Sequence, residues 1–151
     1  MELEIDFFEG DKHPDFNKVI DLRNRIFVKE QGKLASKEHD KQDEISLHLI
    51  ATLNNNCIAT CRIIKIDDSN IRIGRVCVDE AYRGHGFGSV IMQKCHEKCL
   101  ELYPDYDWFL HAQCYAVDFY SKFGYEIVGQ EFVANNIPHV KMIRYASKLK
   151  I

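Results

Sequence analysis

The sequence predicts an α/β fold of the α+β mixed-sheet type, with its elements in the order β-α-β-β-β-α-β-α-β-β. Two observations support this fold class. Several short segments are β-rich, some with apolar residues at every second position, which is typical of strands. Longer segments have apolar residues every three or four positions, which is typical of helices. Turn-forming residues separate the segments, and the chain contains no internal repeat or low-complexity tract.

Strands in the first half of the chain are predicted at residues 3–7, 46–53, 57–66 and 71–78, where aliphatic, aromatic and β-branched residues concentrate. Between the first two strands, residues 13–30 have apolar side chains at helical spacing, and Gly32 ends that helix. Asn54 to Asn56 predict a hairpin turn. Residues 67–70 turn the chain into the fourth strand.

The second half alternates helices and strands. A long helix follows a glycine-rich turn and ends before Pro104, because proline disfavours helical backbone at the residue before it. Residues 108–112 predict a short buried strand, and residues 114–123 predict a helix. Residues 125–132 and 139–146 complete the sheet as an antiparallel pair.

The most informative segment is the turn that joins the fourth strand to the long helix, residues 83–89, which read Arg-Gly-His-Gly-Phe-Gly-Ser. Glycines let consecutive backbone N–H groups turn toward one centre. The helix behind them adds unpaired N–H groups and the positive end of its dipole. Arg83 adds a fixed cation with a forked set of donors. The segment predicts a binding site for a phosphorylated ligand; a solvated glycine turn is the alternative.

The spacing of the glycines distinguishes between the known phosphate loops. No lysine follows them, as a P-loop requires. The single-residue spacers do not match the Gly-x-Gly-x-x-Gly of dinucleotide-binding folds. The segment reads Arg-x-x-Gly-x-Gly, with Arg83, Gly86 and Gly88 at the defining positions. It resembles the acyl-CoA loop of the GNAT superfamily of N-acyltransferases.

Two further resemblances extend this match to nearly the whole chain. Residues 116–125 resemble a second GNAT hallmark, Ala-x-x-Phe-Tyr-x-x-x-Gly-Phe. The ElaA-like branch of the superfamily is similar in several short runs, which are residues 22–31, Glu38-x-Asp40, His48-Leu49, His111-Ala112-Gln113 and Ile137-Pro138-His139-x-x-Met142.

The resemblance implies the GNAT fold, in which the fourth and fifth strands splay apart and the pantetheine arm of the cofactor lies in the gap. It implies acetyl-CoA as cosubstrate and direct attack of an amine on the thioester carbonyl. A backbone N–H near Cys77 or Val78 would face the carbonyl oxygen. Tyr120 matches the usual general acid, although its spacing alone favours a core tyrosine. The cofactor-binding residues implied are Val76, Cys77, Val78, Arg83, Gly84, His85, Gly86, Phe87, Gly88 and Ser89.

The sequence leaves the general base open. Glu30, near the end of the first helix, and His111, on the short strand next to the splay, are the candidates. The alternatives are that Glu30 is a solvent-exposed glutamate at a helix end and that His111 is a strand residue whose ring is already hydrogen-bonded. His48 and His139 lie in strands and are equally ambiguous. No activating group is evident around Cys77, so we interpret it as a wall of the site.

Residues 33–44 are polar and of mixed charge, which predicts a loop. Loops beside a rigid scaffold often carry substrate contacts. With the family resemblance, we expect Glu38 and Asp40 to border the acceptor site; a solvated connector is the alternative.

Length and charge set bounds on the function. A chain of 151 residues fits a single domain over residues 1–151. A net charge of −3 argues against a nucleic-acid partner. No apolar run is long enough to span a membrane, and the acidic start lacks the apolar core of a signal peptide. We expect a cytoplasmic protein with a small-molecule or peptide amine acceptor. The oligomeric state stays open, a homodimer included.

Six cysteines raise the alternative of a redox or metal protein. No Cys-x-x-Cys occurs and no histidine has zinc-finger spacing, so we expect no metal site. Period two places Cys57 and Cys61 on one face of a strand, as buried thiols.

The leading hypothesis is an acyl-CoA-dependent N-acetyltransferase. The alternative is a non-catalytic CoA-binding sensor or interaction domain of the same fold. The sequence does not identify the acceptor or the acyl-chain preference.

Overall fold

A computed structural model describes residues 2–146. Its strands are β1 (Glu4–Glu9), β2 (Leu47–Leu53), β3 (Asn56–Lys65), β4 (Asn70–Val78), β5 (Asp107–Gln113), β6 (Glu126–Ala134) and β7 (Ile137–Arg144). Its helices are α1 (Phe16–Arg23), α2 (Ala35–Glu38), α3 (Phe87–Leu102) and α4 (Val117–Ser121). The sheet order over the described residues is β1-β2-β3-β4-β5-β7-β6.

The predicted α/β fold class is confirmed, and the predicted order of elements is confirmed with one addition, the short helix α2. The pairs β1–β2, β2–β3, β5–β7 and β6–β7 are antiparallel, and β4 pairs with β5 in parallel. That parallel pairing covers only Asn70 to Arg72 against Asp107 to Phe109, although both strands continue beyond it. Such short pairing is what a splay of the two strands requires.

The described chain divides into two compact units, residues 2–64 with 75–102, and residues 65–74 with 103–146. None of the helices within residues 2–146 combines the length and the apolar composition needed to cross a membrane.

Helices pack on both faces of the strands in the first unit. On one face, α1 buries Phe16, Val19 and Leu22 in a cluster with Phe8 of β1 and Ile50 of β2. On the other face, Cys95 of α3 contacts Cys61 of β3, and Lys98 lies over the ring of Phe7 at 5.0 Å. Adjacent residues of one strand thus point to opposite helix layers, as the two-residue period of a strand requires.

A β-bulge changes the faces of β3. Ala51 pairs with Ala59, but the next residue, Thr52, pairs with Cys57, so Ile58 has no partner across the strand pair. The extra residue reverses the side-chain alternation. Cys57 therefore joins the α1 cluster, while Cys61 faces α3. The prediction that the two cysteines share one face is wrong for this reason.

The second unit is built on β5 and β7, which pair from Trp108↔Arg144 to Gln113↔His139. Trp108, Leu110 and Ala112 of β5 are buried. The predicted helix over 114–123 is a 3₁₀ turn, Cys114–Ala116, followed by the shorter α4. Gly124, with φ +92°, ends it as predicted.

The prediction of a loop over residues 33–44 is wrong in part. Helix α2 occupies Ala35–Glu38, and a 3₁₀ helix occupies Lys41–Ile45. Asp40 begins the 3₁₀ helix as half of a reciprocal cap with Asp43. The segment is ordered by buried side chains rather than by apolar periodicity, which is why the sequence pattern did not reveal it.

Candidate active site

A short 3₁₀ turn, Glu80–Tyr82, joins β4 to the glycine-rich turn. Asp79 directly follows the strand and caps this 3₁₀ turn, because its carboxylate accepts from the N–H of Ala81. Gly84 and Gly86 then have φ of +82° and +80°, in the left-handed region that residues with a Cβ rarely adopt. No atom lies within 4 Å of where a Cβ would be at either glycine. Both backbones are therefore open to a ligand.

A cavity of about 190 Å³ lies along this turn. Its walls are residues of the predicted cofactor site and Tyr82: Val78, Tyr82, Arg83, Gly84, Gly86, Phe87 and Gly88. Helix α3 begins at Phe87, so its first N–H groups and the positive end of its dipole belong to the same wall. Of the other predicted loop residues, His85 and Ser89 are exposed.

Arg83 and Glu30, two predicted site residues, are brought together. The guanidinium donates to both carboxylate oxygens of Glu30, at 2.5 and 2.8 Å, and its Nε donates to the carbonyl of Val78 at 3.0 Å. The hydrogen bonds from Arg83 lower the pKa of Glu30. Glu30 is the last residue of a π-helical segment, Asn24–Glu30, that continues α1. Arg83 therefore ties the end of this segment to the end of β4. Glu30 is a weaker base than an unpaired glutamate.

The end of β4 has an unusual backbone. Arg75, in the second half of the strand, has φ +52°, a left-handed conformation that costs free energy for a residue with a side chain. Two residues further on, Cys77 is buried, and burial raises the pKa of its thiol. A thiol held in the neutral form is a poor nucleophile. The wall role predicted for Cys77 agrees with this environment.

A buried ion network holds Arg75 in place. Its Nε lies 2.8 Å from a carboxylate oxygen of Glu38, and one terminal nitrogen donates to Asp40 at 3.2 Å. Arg23 of α1 also binds Glu38, at 2.6 Å, and donates to both oxygens of Asp43, at 2.8 and 3.1 Å. The network thus joins α1, the 33–45 segment and β4.

Arg62 of β3 completes the network. It donates to both oxygens of Asp40, at 2.7 and 3.0 Å, and to Asp43 at 2.9 Å. Burial opposes the ionisation of Asp43, but the hydrogen bonds and charges of Arg23 and Arg62 outweigh it and lower the pKa of Asp43 to about 2. We call Arg23, Arg62, Arg75, Glu38, Asp40 and Asp43 the ion network.

The ion network changes the interpretation of two predicted acceptor contacts. The side chain of Glu38 is fully buried, and Lys33 also donates to it at 2.9 Å. Asp40 is half-buried and paired with two arginines. These contacts hold the 33–45 segment on its neighbours, so both carboxylates are already paired within the protein. The sequence held one signal for this cluster: Arg62 interrupts an otherwise apolar strand, and a buried charge requires a partner.

His48, one of the ambiguous histidines, is a buried core residue. Its Nε2 lies 3.2 Å from the carbonyl of Asp43, and a carbonyl can only accept, so Nε2–H donates. Burial lowers the pKa of His48. The side chain is therefore neutral and has no access to a substrate.

In the second unit, Tyr120 lies on α4 and is half-buried. Its ring makes edge contacts with Phe119 and Tyr125, at 5.1 and 6.1 Å between centroids. These contacts fix the position of the ring, which suits both a core tyrosine and a positioned acid. The general-acid role stays a prediction.

His111 of β5 is exposed and belongs to the same unit. Arg72 lies 3.2 Å from its Nδ1. A guanidinium can only donate, so Nδ1 accepts and the proton of the neutral ring is on Nε2. In this state His111 offers a hydrogen-bond donor to a ligand. A general-base role would require the contact with Arg72 to break.

The fold is that of the acyl-CoA N-acyltransferases of the GNAT type. The chain belongs to this family: the model of the acetyltransferase (GNAT) domain matches residues 18–146. Among its relatives is the Escherichia coli protein ElaA, which is 34% identical over 129 residues, covering 83% of this chain and 84% of ElaA.

Solved structures agree with that assignment. The crystal structure of E. coli ElaA matches with a TM-score of 0.85 and 30% identity, over 93% of this chain and 99% of ElaA. An acyl-CoA N-acyltransferase from Pseudomonas aeruginosa matches with a TM-score of 0.87 and 25% identity, over 95% and 99% of the two chains. A GNAT acetyltransferase from Elizabethkingia anophelis with acetyl-CoA bound shares the fold, with a TM-score of 0.60 and 14% identity over 93% and 94%.

Proposed function

We propose that this protein transfers the acetyl group of acetyl-CoA to the nitrogen of a primary amine, directly and without an acyl-enzyme intermediate. Membership of the GNAT family supports N-acyl transfer in general. The donor, the acceptor type and the direct route are the proposal. Acetyl-CoA is the donor we favour because one acetyltransferase of the same fold binds it.

The observation that carries the proposal is the turn at Gly84 and Gly86. Both glycines combine a positive φ with open space beside the backbone, next to the start of α3 and along a cavity. A pyrophosphate needs backbone N–H donors that it can approach closely, and a Cβ at either position would obstruct it. The residues present therefore fit the phosphates of CoA.

The reaction has four parts. The neutral amine nitrogen forms a bond to the thioester carbon, the carbon–sulfur bond breaks, the nitrogen loses a proton and the CoA thiolate gains one. We assign the proton of the thiolate to the hydroxyl of Tyr120 and the stabilisation of the carbonyl oxygen to a backbone N–H of β4 near Cys77 or Val78. The left-handed conformation of Arg75 supports this assignment, because it interrupts the regular strand directly before these residues.

The direct route is supported by the environment of Cys77. An acyl-cysteine would require a thiolate, and burial raises the pKa of this thiol. We therefore expect no covalent acetyl-protein when acetyl-CoA is added alone.

The test is an acceptor screen at saturating acetyl-CoA. Free CoA and N-acetyl product should appear in equal amounts with at least one amine, and intact-protein mass should not increase by an acetyl group in the absence of an amine. CoA binding without turnover across the panel would favour the non-catalytic sensor. An acetylated cysteine that forms and decays during turnover would contradict the direct route.

A further inference from the structure

One face of the second unit carries a group of basic side chains. Successive residues of β5 point to opposite faces, and Trp108, Leu110 and Ala112 are on the buried one. Phe109 and His111 are on the other face, which is half-buried to exposed.

The strand registers bring the basic residues together on that face. Arg72 of β4 pairs with Phe109, and Lys141 and His139 of β7 pair with His111 and Gln113. Residues opposite each other in a sheet share a face. We call Arg72, His111, His139 and Lys141 the basic face.

Aromatic rings hold these basic groups in place. The ammonium of Lys141 lies over the ring of Phe109, 4.6 Å from its centroid. His139 stacks on Phe132 at 5.7 Å, and the edge of His111 contacts the same ring at 5.3 Å. The side chains are therefore positioned before any ligand arrives, which reduces the entropy lost on binding.

Three side chains of the basic face, those of Arg72, Lys141 and His111, offer donors, whereas Nδ1–H of His139 already donates to the carbonyl of Ile137 at 2.7 Å. Because Arg72 occupies Nδ1 of His111, the Nε2–H of that ring is the donor that remains. Arg72 and Lys141 carry positive charge, and Lys141 forms no ion pair within residues 2–146. Burial, and then the positive charges of Arg72, Lys141 and His139, lower the pKa of His111 to about 4. The two permanent charges on this face, those of Arg72 and Lys141, are both positive, so the local potential is positive.

We infer that the basic face binds an anionic group, a carboxylate or a phosphate, on the amine that receives the acetyl group. This inference rests on the proposed function. A guanidinium, an ammonium and an imidazole N–H are the donors that oxyanions prefer. The same potential disfavours acceptors with several positive charges, such as polyamines. The phosphates of CoA have their own donors at residues 83–89.

The first test compares matched acceptors that differ only in the anionic group. We use L-phenylalanine against L-phenylalaninamide for a carboxylate, and O-phosphoethanolamine against ethanolamine for a phosphate. Because charge-assisted hydrogen bonds are strong, the anionic member of one pair should have a kcat/KM about tenfold or more above its neutral partner. The pair that shows the difference identifies the anion. Equal or better turnover of both neutral members would overturn the inference.

The second test removes one cation. Lys141→Met keeps an unbranched stem over Phe109 and should raise KM for the anionic acceptor about tenfold, with acetyl-CoA affinity unchanged. Arg72→Met should act in the same direction. Lys122→Met, at an exposed lysine directly after α4, is the control for lost charge and should change nothing. An unchanged KM in a folded Lys141→Met protein would overturn the inference, as would a rise confined to the Kd of CoA.

A binding measurement separates this inference from the proposed function. N-acetyl-L-phenylalanine and O-phosphoethanolamine need no catalysis to bind, and the imidazole resonances of His111 report binding by NMR. One of them should shift these resonances in the parent and not in Lys141→Met. If no amine is acetylated but this shift occurs, the proposed function fails and the basic face stands. If acetylation occurs without any such shift, the basic face fails alone.

Discussion

Replacing Asp43 by asparagine tests whether the ion network is an ionised cluster that holds the 33–45 segment on α1 and β3. The carboxylate of Asp43 is fully buried and is bound by Arg23 and Arg62. Its pKa falls from the ordinary value of 3.8 to about 2, which corresponds to about 2.5 kcal/mol of stability above pH 6. The substitution would also leave two buried guanidinium groups without their shared anion. We expect a total loss of about 3–5 kcal/mol at pH 7.

The pH dependence has a definite sign. A group whose pKa is lower in the folded state stabilises the fold above its unfolded pKa, and this contribution is lost as the pH falls through the folded pKa. For Asp43 that window runs from about pH 4 down to about pH 2. The stability difference between the parent and Asp43→Asn should therefore narrow by about 1 kcal/mol between pH 6 and pH 3.

The assay is urea unfolding followed by the fluorescence of Trp108 and by circular dichroism, at several pH values. Asp21→Asn is the matched control, because Asp21 is exposed on α1 and the same charge is removed. Its effect should stay within about 0.5 kcal/mol. A loss below about 1 kcal/mol in Asp43→Asn, or a difference from the parent that does not change with pH, would refute the ionised network.

Three further substitutions test the proposed site. Gly86→Val should weaken CoA binding at least tenfold, about 1.4 kcal/mol, whereas Gly129→Val, at the same kind of open, positive-φ position in β6, should leave it unchanged; equal affinities of the two variants for CoA would remove the loop assignment. Tyr120→Phe should lower kcat by about 10²–10⁴ with little change in acetyl-CoA affinity, and full activity in a folded variant would leave Tyr120 as a core residue. Glu30→Gln should keep kcat within about threefold, because Arg83 occupies both carboxylate oxygens; a loss of about 10² or more would restore Glu30 as the base.

Local signals allowed the sequence to predict much of the fold. The hairpin at Asn54 and Asn55 has φ of +50° and +66°, as its residue types require. The long helix, its glycine-rich entry and its end before Pro104 each depend on neighbouring residues. The glycine-rich turn could be located for the same reason, since Gly84 and Gly86 are next to the helix that they precede.

Features that depend on distant residues could not be predicted. Arg23, Arg62 and Asp43 come from three separate elements, and nothing in the spacing along the chain connects them. The bulge at Ile58 moved Cys57 to another face without any glycine to mark it. Likewise, no residue type marks the left-handed backbone of Arg75, whose side chain is held by carboxylates of the 33–45 segment.

The most direct test of the central claim is the mass-spectrometric analysis of a reaction containing the protein, acetyl-CoA and an amine panel that includes phenylalanine and phosphoethanolamine. We predict one N-acetylated amine for each CoA released, at a rate that Gly86→Val and Tyr120→Phe reduce, with no acetyl group on the protein. Acetyl transfer to an amine is contradicted if CoA binds to the parent protein and no amine in the panel gains an acetyl group.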